Sequence, residues 1–197
     1  LLFFLVVANG IAFAQRTVSL RQFEAIKNAY RNSPDPVAAG LDEGDDITYV
    51  KDVDNELNQF VGVWKGDFNS KNYEFNFVKY IAHKFKATDD ISFDLLMCIV
   101  TVKDNTTNNV IYTNLNKPVG LKGFTGANFQ GNTNIYTLNF SGNCYNEHGT
   151  VFIDIKANGK MSLSFSIAPD IQSNDCPNGF TPVLPVSPNH VILTKQP

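Results

Sequence analysis

Apolar and polar residues alternate with a period of two along most of the chain from residue 60 onward. Every second residue is aromatic in 73–77 (YEFNF), and 134–140 (NIYTLNF) and 160–167 (KMSLSFSI) alternate in the same way. Such alternation is typical of β-strands that have one buried face and one solvent-facing face. The pattern therefore predicts an all-β fold and excludes a mainly helical one.

Nine segments carry this strand pattern, and the segments between them are rich in Asn, Gly, Asp and Thr, which favour turns. The predicted strands are 60–68, 73–86, 91–103, 110–115, 120–130, 134–141, 150–157, 160–167 and 190–195. No internal repeat of the kind found in propellers or solenoids is present. We therefore expect an antiparallel up-and-down β-barrel of about 8–10 strands over residues 55–197.

The register of one hairpin can be predicted from its hydrophobic pattern. A three-residue loop, Ala157-Asn158-Gly159, places Ile155 opposite Met161, so that the apolar residues of both strands share one face. A two-residue Asn158-Gly159 turn would mix the faces. We therefore expect the longer loop, with Gly159 in the left-handed conformation of a G1 bulge.

The first 14 residues are almost entirely apolar and end in Ala12-Phe13-Ala14, a pattern that signal peptidase recognises. The sequence has no initiator Met and no basic segment before this run, so we expect it to begin inside a precursor. The run is shorter than the roughly 20 residues of a membrane-spanning helix. The residue directly after Ala14 is not a cysteine, which argues against a lipoprotein. We expect a periplasmic or extracellular protein, cleaved after Ala14.

Residues 15–54 are interpreted as a leader that precedes the barrel. Helical spacing of apolar residues in 18–32 ends before Pro34 and Pro36. The acidic segment 40–54 lacks the ligand spacing of an EF-hand calcium loop, so a solvated linker is the favoured interpretation. Asp54 is expected to cap a short helical turn that leads into residue 60.

Charge and cysteine content limit the remaining classes of function. The formal net charge is −3, and the charges of the barrel segment are balanced, whereas a nucleic-acid-binding protein needs a basic face. Of the three cysteines, Cys98 lies in an apolar strand and is expected to be buried and reduced. Cys144 and Cys176 lie in turn-rich segments and are the candidate disulfide, with three free thiols as the alternative.

The chain shows no recognisable catalytic, metal or cofactor motif. The three histidines have no metal-binding spacing among themselves or with the cysteines. Cys144 and His148 lie close enough in the chain for a nucleophile pair, but a polar loop with a disulfide-bonded Cys144 is the favoured interpretation. We expect no catalytic residue, no metal and no cofactor.

The segment 60–68, FVGVWKGDF, resembles the first strand of the lipocalin and fatty-acid-binding-protein superfamily, in which an aromatic residue precedes Gly-x-Trp. Phe60, Gly62 and Trp64 match that pattern. The resemblance implies that Gly62 lets the strand bend, that Trp64 closes one end of the barrel, and that a cation lies over the indole. Lys195 is the candidate for this cation. The two lid helices of the fatty-acid-binding branch are missing.

The chain also resembles a family of small secreted proteins of Gram-negative bacteria to which no activity is assigned. That resemblance rests on 48–66 (TYVKDVDNELNQFVGVWKG), on 189–196 (NHVILTKQ) and on the overall layout. It implies secretion and a calycin-like first strand, and it assigns no activity to the chain.

Two functions remain open, because an eight-stranded barrel can either hold a small ligand or fill itself with side chains. In the first, a small apolar ligand contacts inward-facing residues. The candidate lining residues are Trp64, Phe75, Phe77, Tyr136, Leu138 and Phe165. In the second, the 16 phenylalanines help to fill the barrel, which then binds a protein partner through its loops or leader. We expect a monomer, and an enzyme is the third and weakest hypothesis.

Overall fold

The computed structural model describes residues 16–117, 123–144, 147–168 and 176–197, and the predicted signal peptide, 1–14, lies outside the described residues. One α-helix, α1 (Leu20–Asn32), and a 3-10 turn (Glu56–Gln59) accompany the strands. The strands are β1 (Arg16–Ser19), β2 (Ile47–Lys51), β3 (Gly62–Phe68), β4 (Lys71–His83), β5 (Ser92–Asp104), β6 (Val110–Thr113), β7 (Phe124–Phe129), β8 (Tyr136–Ser141), β9 (His148–Ile155), β10 (Met161–Ile167) and β11 (Val191–Lys195).

Eight of these strands form a closed antiparallel barrel. Their order around the barrel is β5-β4-β3-β11-β10-β9-β8-β7, and the pairing of Met97 with Thr125 joins β7 back to β5. Neighbours around the barrel are also neighbours in the order of the strands along the chain, apart from β6 and the return of β11 to β3. The predicted up-and-down barrel is therefore confirmed.

All nine predicted strands are present, with ends that differ by a few residues. The start of the predicted strand 120–130 lies outside the described residues, and β7 begins at Phe124. β6 is a strand but is not one of the barrel strands, because among the described strands it pairs only with the end of β5, through residues 101–103. Two further strands, β1 and β2, occur in the leader.

The predicted hairpin between β9 and β10 is confirmed. Ile155 pairs with Met161 and Ile153 with Leu163, which is the register selected by the hydrophobic pattern. Gly159 has a φ of 75°, a conformation that costs glycine little because it has no Cβ.

The leader is more ordered than the sequence suggested. β1 and β2 pair in parallel, and β2 continues the sheet by pairing Tyr49 and Val50 with the first residues of β5. The expected acidic linker therefore contains a strand, whose Ile47 and Val50 are buried against the core. This strand was missed because five residues beside a run of carboxylates carry too little alternation to stand out.

Helix α1 begins at a capping box, in which Ser19 and Gln22 exchange side-chain hydrogen bonds with each other's backbone amides. Its first residue, Leu20, is buried in the same core as the barrel. Within the described ranges, no helix has the length and apolar character required to cross a bilayer.

Candidate functional site

The barrel interior is occupied by side chains. All six candidate ligand-lining residues are there, and their exposed fractions are at most 2%. Phe75 stacks on Phe77 with ring centroids 6.1 Å apart, and both rings meet Phe124 edge-on. Phe140 continues the chain of contacts, with centroid distances of 5.1 Å to Phe124 and 5.5 Å to Phe165. Ring contacts therefore connect Phe75, Phe77 and Phe165, and all six candidate residues belong to one buried core.

One end of the barrel, here called the leader mouth, is closed by the 3-10 turn and by Phe60. Leu57 and Phe60 are fully buried, and the Phe60 ring lies 5.9 Å from Tyr136 and 6.5 Å from Phe129. Trp64 donates its indole N–H to the Phe60 carbonyl at 2.8 Å. The indole and the residues before it therefore seal this mouth.

Lys195 lies over Trp64, as the resemblance implied. Its Nζ is 5.4 Å from the indole ring, and the two residues pair across β11 and β3. Gly62 has a φ of 118°, and a Cβ at this position would lie 3.1 Å from the Lys195 Cε. Glycine is therefore favoured here mainly by its backbone conformation, and a Cβ would also make the flexible Lys195 side chain shift by a few tenths of an ångström.

Arg21 ties helix α1 to the leader mouth, which the sequence did not reveal. Its guanidinium donates to both oxygens of Glu56 and to the carbonyls of Gly131 and Thr133, at distances of 2.7–3.2 Å. The same group lies 3.8 Å above the Phe129 ring. Fork-like hydrogen bonding combined with stacking on an aromatic face is a geometry that arginine makes and lysine does not.

A second polar cluster anchors the 3-10 turn. The buried Asp52 carboxylate accepts hydrogen bonds from the amides of Glu56 and Leu57 and pairs with Lys79 at 2.6 Å. Asp54, which was expected to cap this turn, does not do so. Asn55 precedes the turn in a left-handed conformation (φ 56°), and the Asp52 carboxylate accepts the hydrogen bonds of the first amides instead.

Asp94, also buried, continues this cluster. It accepts hydrogen bonds from the Tyr49 hydroxyl at 2.6 Å and from the amides of Asp52 and Ala82 at 3.0 Å. Burial, with help from the Asp94 carboxylate, raises the pKa of Tyr49 to about 12. These contacts fix the leader strand β2 to β5 and to the end of β4.

The opposite end of the barrel, here called the far mouth, is covered by residues 181–186. The Val183 amide donates a hydrogen bond to the Glu147 carboxylate at 2.6 Å, and the Val183 carbonyl accepts one from the Tyr73 hydroxyl at 3.0 Å. The backbone amide of Phe165 donates a further hydrogen bond to the Pro185 carbonyl, at 2.8 Å. The segment is therefore attached to β4, to β10 and to the turn that precedes β9.

The predicted disulfide between Cys144 and Cys176 is present at this mouth, and Cys98 is buried and reduced as expected. Because Cys144 is in a disulfide, the Cys144–His148 nucleophile pair is not formed. Glu147 instead accepts hydrogen bonds from the amides of Asn143 and Val183. Among the described residues, no group of three or more His, Cys, Asp or Glu side chains has metal-binding geometry.

A groove of about 330 Å³ lies outside the far mouth, between the β3–β4 turn and residues 181–189. Its lining residues are Phe68, Asn69, Lys71, Tyr73, Thr181, Pro182, Leu184, Pro185, Val186 and Asn189. Burial lowers the pKa of Lys71 and is opposed by the negative charge of Glu147. Nothing in the sequence pattern had singled out Lys71, because its neighbours in the groove come from a segment more than 100 residues away.

Comparisons of the chain with protein-family models, with curated proteins and with solved structures found no match.

Proposed function

We propose that this protein is an exported binding protein whose barrel is a filled, rigid scaffold, and that it binds through its surface and its mouths. The alternative is a carrier that holds an apolar ligand inside the barrel. The two differ in whether the interior has room, and the packing of the interior therefore decides between them.

The filled interior carries the proposal. Phe75, Phe77 and Leu138 have no exposed surface, and the aromatic rings around them contact one another from β4 across to β10. Close-packed protein cores have few voids larger than a water molecule. A ligand in the interior would therefore have to displace these side chains. The resemblance to lipocalin-like barrels supports the architecture, and we do not extend it to their ligands.

Two observations support export to the periplasm or the medium. Disulfides persist in oxidising compartments and are rare in the cytosol, and Cys144–Cys176 is such a bond. The sequence of residues 1–14 has the composition of a signal peptide. Binding rather than catalysis is favoured because Cys144, the strongest nucleophile candidate in the sequence, is in the disulfide.

Exposed apolar side chains support binding at the surface. Ile81 and Phe85, near the β4–β5 turn, are 62% and 55% exposed. Phe85 also packs against His83 and Phe93, with ring centroids 5.3 and 5.9 Å apart. Aromatic side chains are enriched at protein interfaces, so this turn is the part of the surface that we expect to meet a protein partner.

A small apolar probe tests whether the interior is filled. We expect benzene to leave the amide chemical shifts of the native protein unchanged, and to perturb those around residue 138 in Leu138→Ala. The truncation removes a fully buried side chain, and apolar cavities made in this way stay dry and bind benzene. The variant should lose about 2–5 kcal/mol of unfolding free energy.

Binding of benzene to the native barrel with the same affinity as to Leu138→Ala would contradict a filled interior. Native mass spectrometry of protein purified from its own compartment gives an independent measurement. A reproducible small-molecule adduct that is lost on unfolding would favour the carrier, whereas a protein mass without adduct supports the scaffold.

A further inference from the structure

The groove outside the far mouth is built from two distant parts of the chain. One wall is the two-residue turn Asn69-Ser70 with the first residue of β4, Lys71, and the other is the segment that covers the mouth. The hydrogen bond between Tyr73 and Val183 joins the two walls. The groove therefore exists only in the folded barrel, and its shape is fixed by the same contacts that close the far mouth.

Lys71 brings a positive charge to this groove, and the Glu147 carboxylate acts on that charge without forming an ion pair with it. Its ammonium donates one hydrogen bond of 3.3 Å, to the Pro182 carbonyl. None of the carboxylates in the described ranges lies within ion-pair distance of it. An ammonium has three donors, so two of those of Lys71 have no partner among the described residues.

Three neutral polar side chains share this groove with the Lys71 ammonium. Asn69, Thr181 and Asn189 line the groove, and their side chains make no hydrogen bond to other described residues. Leu184 and Pro185, which are buried, give the groove an apolar part, here called its floor. The combination of one cation, several neutral donors and an apolar floor is typical of sites for small ligands that carry an anionic group.

We propose that this groove binds a small organic carboxylate, with the carboxylate on the Lys71 ammonium and on the Asn69 and Asn189 amides. The compact apolar part of the ligand then rests on Leu184, Pro185 and the edge of Phe68. A single ammonium matches a single negative charge better than it matches a phosphate. A volume of about 330 Å³ is at the lower end for ligand pockets, which selects a compact molecule.

The site is separate from the barrel interior. It goes beyond the proposed function and stands whether or not the interior takes a ligand, because Tyr73 and the segment 181–186 lie between the two. A carboxylate in the groove would perturb residues 69–71 and 181–189. A ligand in the interior would instead perturb the aromatic core around Phe75 and Phe124.

The test is an NMR titration of the full chain with 3-phenylpropionate, with the uncharged 3-phenylpropan-1-ol as the matched probe. We expect the carboxylate to bind at least about tenfold more tightly than the alcohol, since one charge-assisted hydrogen bond is worth that factor. Lys71→Met keeps most of the aliphatic stem and should lose this preference. Lys65→Met removes an exposed lysine that pairs with Glu74 and should change the affinity less than about twofold.

Equal binding of acid and alcohol, an unchanged affinity in Lys71→Met, or shifts that map to the aromatic core would overturn the proposal. If Lys71→Met does not fold, the double variant Thr181→Val with Asn189→Leu is titrated in its place, because both positions are exposed. That double variant is expected to weaken the carboxylate severalfold, and an unchanged affinity there would equally overturn the proposal. Affinity should also fall at alkaline pH as Lys71 loses its proton, with a midpoint below the ordinary lysine pKa.

Discussion

At the scale of single residues, Gly62 has a backbone conformation that favours glycine and a smaller steric constraint from Lys195. Its φ of 118° is unfavourable for any residue with a Cβ, and that Cβ would press on Lys195. We expect Gly62→Ala to lower the free energy of unfolding by about 1–3 kcal/mol. Urea denaturation of the variant and of the native protein measures the difference.

A double-mutant cycle with Lys195→Ala separates the two causes. Lys195→Ala alone should cost about 0.5–1 kcal/mol, because it removes the cation from Trp64 at an exposed site. In that background the cost of Gly62→Ala should be smaller but still above zero, since the φ is unchanged. A cost that disappears altogether would show that the backbone conformation contributes nothing.

Residue roles that depend on a local motif were predictable from the sequence, whereas roles that depend on distant partners were not. Trp64 and Lys195 belong to a recognisable pattern. Cys144 and Cys176 could be paired because the third cysteine, Cys98, lies in an apolar strand. Arg21 and Lys71 act on residues more than 100 positions away. A single sequence carries no signal for such a pairing.

At the scale of elements, helix α1 is attached to the barrel by Arg21, by the hydrogen bond of Glu24 with Asn128 and by apolar contacts such as Phe23 on Phe93. We expect Arg21→Lys to speed hydrogen exchange of the α1 amides by about tenfold or more, because a lysine cannot reproduce the fork to Glu56 or stack on Phe129. Amides in β9 and β10 should exchange as in the native protein, since these strands do not contact the helix.

Arg31→Lys is the matched control, because Arg31 lies in the last turn of the same helix and is exposed. It should leave the exchange of α1 unchanged. Equal protection of α1 in Arg21→Lys and in the native protein would show that apolar contacts such as Leu20 hold the helix without the guanidinium.

Elements with strong alternation were predictable, and elements defined by their partners were not. The β9–β10 register followed from three apolar residues on each strand, because a shift by one would expose them all. β1 and β2 have four and five residues and owe their conformation to pairing with each other and with β5. The sequence pattern of β6 is that of a barrel strand. It lies outside the barrel because β7 pairs directly with β5.

At the scale of the whole molecule, buried tyrosines make stability depend on alkaline pH. Burial raises the pKa of Tyr49, Tyr73 and Tyr112 to about 12, and raises that of Tyr136 further. In the unfolded chain these groups lose their protons near pH 10. The folded state therefore binds more protons above pH 10, and stability falls as the pH rises from about 10 to 12.

Absorbance at 295 nm and denaturation midpoints between pH 9 and 12 measure this effect. Tyr73→Phe is the control: it removes the hydrogen bond to Val183 and lowers stability at neutral pH, but it makes the loss of stability with pH less steep. A stability that stays level from pH 10 to 12 would contradict the burial of these hydroxyls.

The position of β11 has a consequence for how the chain acquires its structure during synthesis. This strand follows all the others in the chain, yet it lies between β3 and β10 and pairs with both. Until a ribosome has added residues 191–195, the nascent polypeptide has two unpaired sheet edges, and such edges are prone to aggregate. The barrel therefore cannot close before β11 has been synthesised, and until then the edges of β3 and β10 that β11 covers stay open.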